Sequence, residues 1–364
     1  MNESYLQEAA GLPADFKALQ EEIKRRGWDR RPTARMLLEC GLHCLLAVGG
    51  LALFLPMDSP WARFACLLIS TYGFVGISTS CHTASHYAVF KRKKANERLT
   101  FFGYPVMLGL SATYWWHHHL GAHHKSPNGV GVDADIDLKP FFAVTEDVYE
   151  HAGPWLRAYY ERQWLLAPLA IALNSFNIQR RGWVYLLSRL GNRQRRRPEH
   201  GLDLALLLLH FGLWLGLPML FFSAGDVVLL YVIRFSMISY GLFVTFGPCH
   251  YPREAACVAG EAKSEDFILR QTATTINFRT GFLGKLLCAG LEYQIEHHLF
   301  GHVAHPHYPR LSPLVRDFCR RHGYPYHSFS WDRAIWKTLT AFRERKPVLP
   351  ELARVPANSA TDIT

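Results

Sequence analysis

Three clusters of histidine residues give this chain its clearest capacity for chemistry. The 364 residues include 19 histidines, and many of these lie within residues 82–86, 117–124 and 297–307. Neutral imidazole is a common ligand of Zn, Cu, Fe and Ni ions, and clustering of this kind is typical of metal binding. We therefore expect a metal site built from segments that are far apart in the sequence.

The spacing within the first two clusters is that of ligands on a helix. His82 and His86 are four positions apart, which would place both imidazoles on one helix face. His119 and His123 repeat this step, and His124 follows directly. The pattern predicts that each segment presents chelating imidazoles from one face of a helix.

The third cluster adds ligands of the same kind. On a helix, Gln294 lies within reach of His297 and His298, and a further candidate, His250, lies earlier in the chain. These histidines together exceed what one four-coordinate zinc ion requires. Two metal ions with open coordination positions fit the set better.

Cysteine content and net charge exclude other kinds of site. The eight cysteines include no Cys-x-x-Cys pair, so we expect neither a zinc ribbon nor a disulfide framework. The net charge is +10, but the basic runs border apolar segments, as cytoplasmic membrane flanks do. No nucleic-acid partner is expected, because no recognisable binding motif accompanies the charge.

A calcium site at residues 133–137 is also excluded. These residues begin like a calcium loop, yet Leu138 and Val144 occupy the positions that need Gly and Glu.

Four apolar stretches are long enough to cross a bilayer as helices. Each has roughly the ~20 residues that a crossing needs, and they comprise residues 37–55, 61–80, 204–222 and 227–248. The turns at residues 56–60 and 223–226 carry no Lys or Arg, whereas basic residues flank the opposite ends. The positive-inside rule therefore predicts that both termini and all histidine clusters lie in the cytoplasm. Two metals at a membrane surface suggest oxygen chemistry on a lipid.

Two further apolar stretches, residues 99–116 and 164–176, are interpreted as interfacial helices. A single crossing by residues 99–116 would place the first two histidine clusters in opposite compartments, where they could not share a metal site. Arg234 within the fourth crossing is expected to snorkel outward or to face the bundle interior, because a central charge is costly in a membrane.

The predicted fold is therefore an all-α integral membrane protein. Four transmembrane helices form two hairpins, and a cytoplasmic helical cap holds the di-metal site. Residues 1–35 are predicted to be a cytoplasmic amphipathic and basic segment without a cleavable signal. Residues 36–330 are predicted to be the membrane domain, and residues 331–364 a cytoplasmic tail.

The histidine clusters resemble the three boxes of the membrane fatty acid desaturase superfamily. Those boxes read roughly H-x(3,4)-H, H-x(2,3)-H-H and (H/Q)-x-x-H-H, in that order. The matching residues are His82, His86, His119, His123, His124, Gln294, His297 and His298. The third box begins with Gln in place of His, and in this respect the chain is similar to the front-end and bacterial acyl-lipid branch of the superfamily. The likeness covers about residues 60–330 and includes the segments 115–116, 127–128, 133–136, 271–277 and 307–309.

The resemblance implies a non-haem di-iron enzyme that uses O2 and two electrons to introduce a double bond into an acyl-lipid or acyl-CoA. The boxes would supply the iron ligands, and His250 resembles an extra ligand that some relatives place between boxes two and three. An external donor, ferredoxin or cytochrome b5 with its reductase, is expected, because only 36 residues precede the first crossing. An excess of arginine over lysine favours a bacterial inner membrane over the endoplasmic reticulum.

Three positions depart from the family pattern. Thr83 stands where box one usually has Asp, Glu292 replaces Asn, and Gly301 replaces Pro. The loss of Asp removes a possible acceptor for an imidazole N–H. The remaining nearby histidines are expected to support or cap the site: His117, His118, His302, His305 and His307.

Two alternative functions stay open. The first is a lipid hydroxylase with the same di-iron core. It would differ from a desaturase only in the step that follows the first C–H abstraction. A membrane metal transporter or receptor is less favoured, because it would carry ligands within its crossings.

Overall fold

Four long helices dominate the protein. The computed structural model describes residues 13–260 and 266–354, so residues 1–12 of the predicted N-terminal segment and 355–364 of the predicted tail lie outside the described residues. Within the described ranges, four helices are long and apolar enough to cross a membrane: Thr33–Phe54, Pro60–Ser85, Pro198–Leu220 and Ala224–Cys249. They overlap the four predicted stretches, and the prediction of an all-α membrane protein is confirmed.

The elements follow one another in a simple order, and short strands interrupt the helices only outside the crossings. The α-helices are α1 (Ala14–Arg25), α2 (Thr33–Phe54), α3 (Pro60–Ser85), α4 (Lys93–Phe101), α5 (Ala112–Trp115), α6 (Glu146–Glu150), α7 (Pro154–Tyr160), α8 (Ala167–Gly191), α9 (Pro198–Phe211), α10 (Ala224–Phe246), α11 (Phe267–Ala273), α12 (Phe282–Cys288), α13 (Gln294–Leu299), α14 (Tyr308–His322) and α15 (Trp331–Thr340). The strands are β1 (Gly129–Val130), β2 (Cys257–Ala259), β3 (Asn277–Arg279), β4 (Ser328–Ser330) and β5 (Val348–Leu349). π-Helical segments occupy Phe102–Met107, Trp116–His123 and Gly212–Gly216.

The first two crossings pack closely because small residues face each other. A side chain at Gly73 of α3 would lie 2.2 Å from the backbone nitrogen of Ala47 in α2. Ser70 donates a hydrogen bond from Oγ to the Ala47 carbonyl oxygen at 2.7 Å. Such close contact lets van der Waals attraction and hydrogen bonds hold helices together in lipid. α3 is the most buried crossing, and it ends directly before His86.

Arg234 in the fourth crossing faces the bundle interior. Its guanidinium carbon lies 4.7 Å from the ring centroid of Phe74, 4.5 Å from that of Trp214 and 5.2 Å from that of Tyr231. Aromatic faces attract a cation where water is excluded, and this cage leaves only 3% of Arg234 exposed. Of the two expected orientations, the inward one is correct.

Residues 93–116 form a broken segment in place of one interfacial helix. The Val106 carbonyl lies against His210, well inside the third crossing, at 2.9 Å from its Nδ1. The chain then reverses at Gly109, where φ is +65° and a Cβ would lie 2.6 Å from His210 Nε2, so glycine is required. α5 returns toward the start of the third crossing. The segment thus enters and leaves on one side, which preserves the predicted parity of four crossings.

Asp203, near the start of the third crossing, holds the first turn of α5. Its fully buried carboxylate accepts hydrogen bonds from Ser111 Oγ at 2.7 Å and from Thr113 Oγ1 at 2.5 Å. It also accepts from the backbone N–H groups of Ala112 at 3.2 Å and Thr113 at 2.9 Å. An acceptor at a helix N-terminus satisfies N–H groups that the helix itself leaves unpaired. Because α5 leads directly into residues 116–124, Asp203 anchors the second histidine cluster to the membrane helices.

The cap combines short helices with two small parallel sheets. Strands β1, β2 and β5 form one sheet in the order β1-β2-β5, and β3 pairs with β4 in the other. Phe16 of α1 stacks on Phe300 with ring centroids 5.3 Å apart, so the N-terminal helix belongs to the cap core. Phe342 is 3% exposed and packs at 5.3 Å from Phe142. Residues after 330 therefore contribute to the packed body of the protein.

Replacement of Asp203 with Ala should destabilise the protein by on the order of 3 kcal/mol, because four buried donors lose a charged acceptor. Thermal or denaturant unfolding in detergent would measure the change. Asp226→Ala is a matched control: its carboxylate accepts only from exposed Ser223 among the contacts that the structure describes, at 2.7 Å. It should cost less than about 1 kcal/mol. Equal effects of the two variants would contradict the anchoring role.

Candidate metal centre

The histidine clusters meet in two adjoining groups of imidazoles. The five-histidine group contains His82, His86, His119, His124 and His297. The three-histidine group contains His123, His250 and His298, with Gln294 beside them. Within each group, one nitrogen from every imidazole lies within 4.8 Å of the others. The rings of His124 and His298 stack with centroids 4.2 Å apart, so the two groups share a wall.

The five-histidine group converges on the Nε2 atom of His119. This atom lies 2.9 Å from Nε2 of His82, 3.0 Å from that of His86 and 3.1 Å from that of His124. An imidazole nitrogen carries either one proton or one lone pair, so hydrogen bonding cannot satisfy all three contacts. Two nitrogens that bind one ion at ~2.1 Å lie about 3.0 to 3.5 Å apart. The donor set therefore fits a metal ion.

A π-helix changes how the second cluster is presented. The spacing predicts that His119 and His123 share a face, but residues 116–123 form a π-helix in which His124 N–H donates to the His119 carbonyl at 2.9 Å. Residues five apart share a face in a π-helix, so His124 joins His119. His123 turns to the three-histidine group instead. The His119 and His123 rings still stack, with centroids 5.2 Å apart, but the two imidazoles contribute to different groups and do not form one chelating pair.

The three-histidine group includes an unsatisfied amide oxygen. Gln294 Nε2 lies 3.0 Å from His250 Nε2 and 3.2 Å from His298 Nε2. Gln294 is 2% exposed, and within residues 13–260 and 266–354 its Oε1 has no hydrogen-bond partner. The oxygen and nitrogen of a Gln side-chain amide occupy equivalent positions. A flip of the amide would therefore point the oxygen, a possible metal ligand, toward these imidazoles. A buried orphan oxygen beside converging nitrogens also fits a metal ion.

Hydrogen bonds to the other ring nitrogens fix the orientation of several imidazoles. His123 Nδ1 lies 2.8 Å from Asp133 Oδ2, and His298 Nδ1 lies 2.8 Å from Gln271 Oε1. Such acceptors hold Nδ1 protonated and leave Nε2 free to bind metal. Sequence spacing did not reveal these pairs, because each joins segments whose proximity only the fold establishes. Thr83, which replaces Asp in the first box, donates from Oγ1 to the Thr79 carbonyl at 3.4 Å.

Burial favours the neutral form of most of these imidazoles. Burial, and then repulsion between neighbouring imidazoles, lowers the pKa well below its ordinary value for five histidines of the two groups: His119, His124, His250, His297 and His298. A neutral imidazole offers the lone pair that a metal binds. His123 differs: burial disfavours its charged form, but the Asp133 carboxylate outweighs burial and raises the pKa of His123.

The remaining nearby histidines have separate contacts. His118 Nε2 lies 2.9 Å from Asp135 Oδ1, while the His117 ring stacks on Tyr185. His305 Nε2 lies 2.9 Å from Glu39 Oε2 in α2. Two more lie outside the two groups: His302 lines a neighbouring cavity, and His307 Nε2 contacts the Arg30 carbonyl at 2.9 Å.

A cavity of about 830 Å³ opens beside the centre and reaches both groups. His86, His124 and His298 form part of its wall. Gly301 lies here too, where a Cβ would be 3.0 Å from His86 Nδ1, so the glycine leaves room beside this imidazole. Six cationic residues but only two carboxylates line the cavity: Arg31, Lys93, Lys125, Arg189, Arg195 and Arg197, with Glu97 and Glu199. This excess of positive charge suits an anionic group.

Comparisons with known proteins agree with the site. The fatty acid desaturase family model matches residues 58–330. Over 344 residues the chain is 26% identical to Delta(8)-fatty-acid desaturase 2 of Arabidopsis thaliana, covering 90% of this chain and 73% of that one. It is 27% identical to human fatty acid desaturase 3, with 87% and 69% coverage. It is also 27% identical to the Delta(5) fatty acid desaturase fat-4 of Caenorhabditis elegans, with 75% and 61% coverage.

The matched region contains all three histidine clusters and three of the four crossings, and it extends over most of the chain. An enzyme with a fatty acyl substrate in a membrane accounts for the apolar helices and for the buried imidazoles at their ends. The chain belongs to the fatty acid desaturase family.

Proposed function

We propose that this enzyme is an O2-dependent acyl-lipid or acyl-CoA desaturase with two non-haem iron ions. The observation that supports it best is the convergence of three distant histidine clusters into two adjoining groups. The five-histidine group would hold one iron, and His123, His250, His298 and Gln294 would hold the other. When bound, iron would supply the oxidising power that, with O2, two electrons and two protons, converts a CH2–CH2 unit to CH=CH and two waters.

The protein would position the metal ligands, limit the access of water to them and admit the acyl chain. The Nδ1 contacts to Asp133 and Gln271 hold two imidazoles in place, and burial limits the access of water to the nitrogens that converge. The cavity that reaches both groups would admit the acyl chain, and its cationic residues would bind an anionic head group. An acyl chain held beside both metals gains the orientation that a selective C–H abstraction requires.

We also propose an orientation of the protein in the membrane and a source of electrons for the reaction. The basic residues at the ends of the crossings favour the centre and both termini on the cytoplasmic side, and the proposed location is a bacterial inner membrane. Electrons would come from an external ferredoxin or cytochrome b5 with its reductase.

Expression in a host without desaturases should produce fatty acids with a new C=C bond, measured by mass spectrometry of the total lipids. Supplied acyl-lipids and acyl-CoA thioesters should distinguish the carrier. Hydroxylated chains in place of new double bonds would support the hydroxylase alternative and contradict the desaturase proposal.

Substitution of His86, His124 or His298 with Ala should lower iron below the wild-type value of about two per chain and reduce turnover at least ~100-fold, because each loses a ligand. Iron content and lipid product would be measured on the same purified protein. His322→Ala is the control, since His322 lies at the end of α14 and contacts Asp15 at 3.0 Å. Full activity in any of the three ligand variants, or zinc in the active wild type, would contradict the di-iron assignment.

Single-cysteine labelling should report Lys93 and Arg195 on the cytoplasmic side, and Asp58 and Gly225 on the opposite side. The pattern follows from four crossings with both short turns outside. Membrane-impermeant maleimide, applied before and after permeabilisation, would measure it. Labelling of Arg195 and Gly225 positions from the same side of intact cells would overturn the orientation.

A further inference from the structure

Lys346 is a buried cation beside the candidate metal centre, and it lies after the residues that match the family model. Only 1% of the residue is exposed. Its Nζ donates to the carbonyl oxygens of His250 at 2.9 Å, Pro252 at 3.3 Å and Ala255 at 2.5 Å. A protonated amine has three N–H donors, which matches the number of these carbonyls, and the amine also interacts with the Cys257 side chain.

The same loop is held from its other side by Asn128. Asn128 Nδ2 lies 3.0 Å from the His250 carbonyl oxygen, and the Asn128 backbone N–H donates to Asp133 Oδ2 at 2.9 Å. Asp133 in turn contacts His123 Nδ1. A continuous hydrogen-bonded path therefore joins Lys346 to two of the three histidines in the three-histidine group.

The backbone around Lys346 is fixed independently. Its N–H donates to the Val144 carbonyl at 2.9 Å, and its carbonyl accepts from Glu146 N–H at 2.9 Å. Two residues later, β5 pairs with β2, and Cys257 lies opposite Val348. The ammonium is thus presented by a segment with little freedom to move, as a positioning contact requires.

From these contacts we infer that Lys346 is a positioning residue for His250 and, through it, for the second metal of the proposed function. The ammonium holds three carbonyl dipoles toward one point. Without it, each carbonyl would lose its charged donor and keep a neutral one, Asn128 Nδ2 for His250 and Ala255 and the Ala255 N–H for Pro252. The loop would then relax away from Gln294 and His298. Lys346 Nζ contacts the backbone carbonyl of His250, so we expect it to act chiefly through the position of that residue.

Lys346→Met removes the ammonium and keeps the length of the side chain. In the full chain, purified and reconstituted with ferrous iron, we expect iron to fall from about two per chain to about one. We expect kcat to fall about 100-fold while KM for the acyl substrate changes less than about twofold, since misplacement of one ligand affects chemistry more than binding. Mössbauer spectra should lose the signal of one iron and keep the other.

Lys337→Met is the matched control, because Lys337 Nζ contacts Glu254 Oε1 of the same loop at 2.5 Å but from its partly exposed side. This variant should keep both irons. Lys346→Gln retains a donor and should lie between Met and wild type, which gives a second measurement if the Met variant folds poorly. Wild-type iron in Lys346→Met, or loss of both irons to the same extent in Met and Gln variants, would overturn the inference. A wild type without iron would instead refute the proposed function on which the inference rests.

Discussion

The structure depends on the gathering of eight buried imidazoles in one region of the cap. Protonated rings would repel one another at centroid separations of 4 to 5 Å, so the cluster requires mostly neutral histidines. Burial provides this condition and also raises the cost of every unpaired nitrogen. The contacts of Asp133, Gln271 and Tyr308 with Nδ1 atoms reduce that cost and set which nitrogen faces inward.

The features that local sequence could predict are those that repeat at short range. Apolar stretches of crossing length located all four membrane helices to within six residues at each end, because bilayer thickness fixes the length of such helices. The order of the histidine clusters likewise identified the residues that the fold brings together. That they bind iron stays a prediction.

Local sequence did not reveal the features that depend on contacts across the fold. A propensity for α-helix predicts His119 and His123 on one face, whereas tertiary packing inserts a π-helix and divides adjacent histidines between two groups. In the sequence, Asp203 is one polar residue at the edge of an apolar stretch. In the fold, it caps a helix some ninety positions earlier in the chain. Lys346 appears as one basic residue among many, because the three carbonyls that bind it give no signature in side-chain types.

The order of strands in the small sheet also constrains how the protein can be made. β1, β2 and β5 begin at residues 129, 257 and 348, and each is paired in parallel with a neighbour that is translated long before or after it. Contacts between such distant segments form late, since a large loop must close before they contribute free energy. The four crossings can enter the membrane while the ribosome is still translating, but β5 is the last described strand to emerge. Pairing of β5 with β2, which follows the loop that carries His250, can therefore form only after all four crossings have been translated, so the centre would reach its final shape on a chain whose membrane helices are already made.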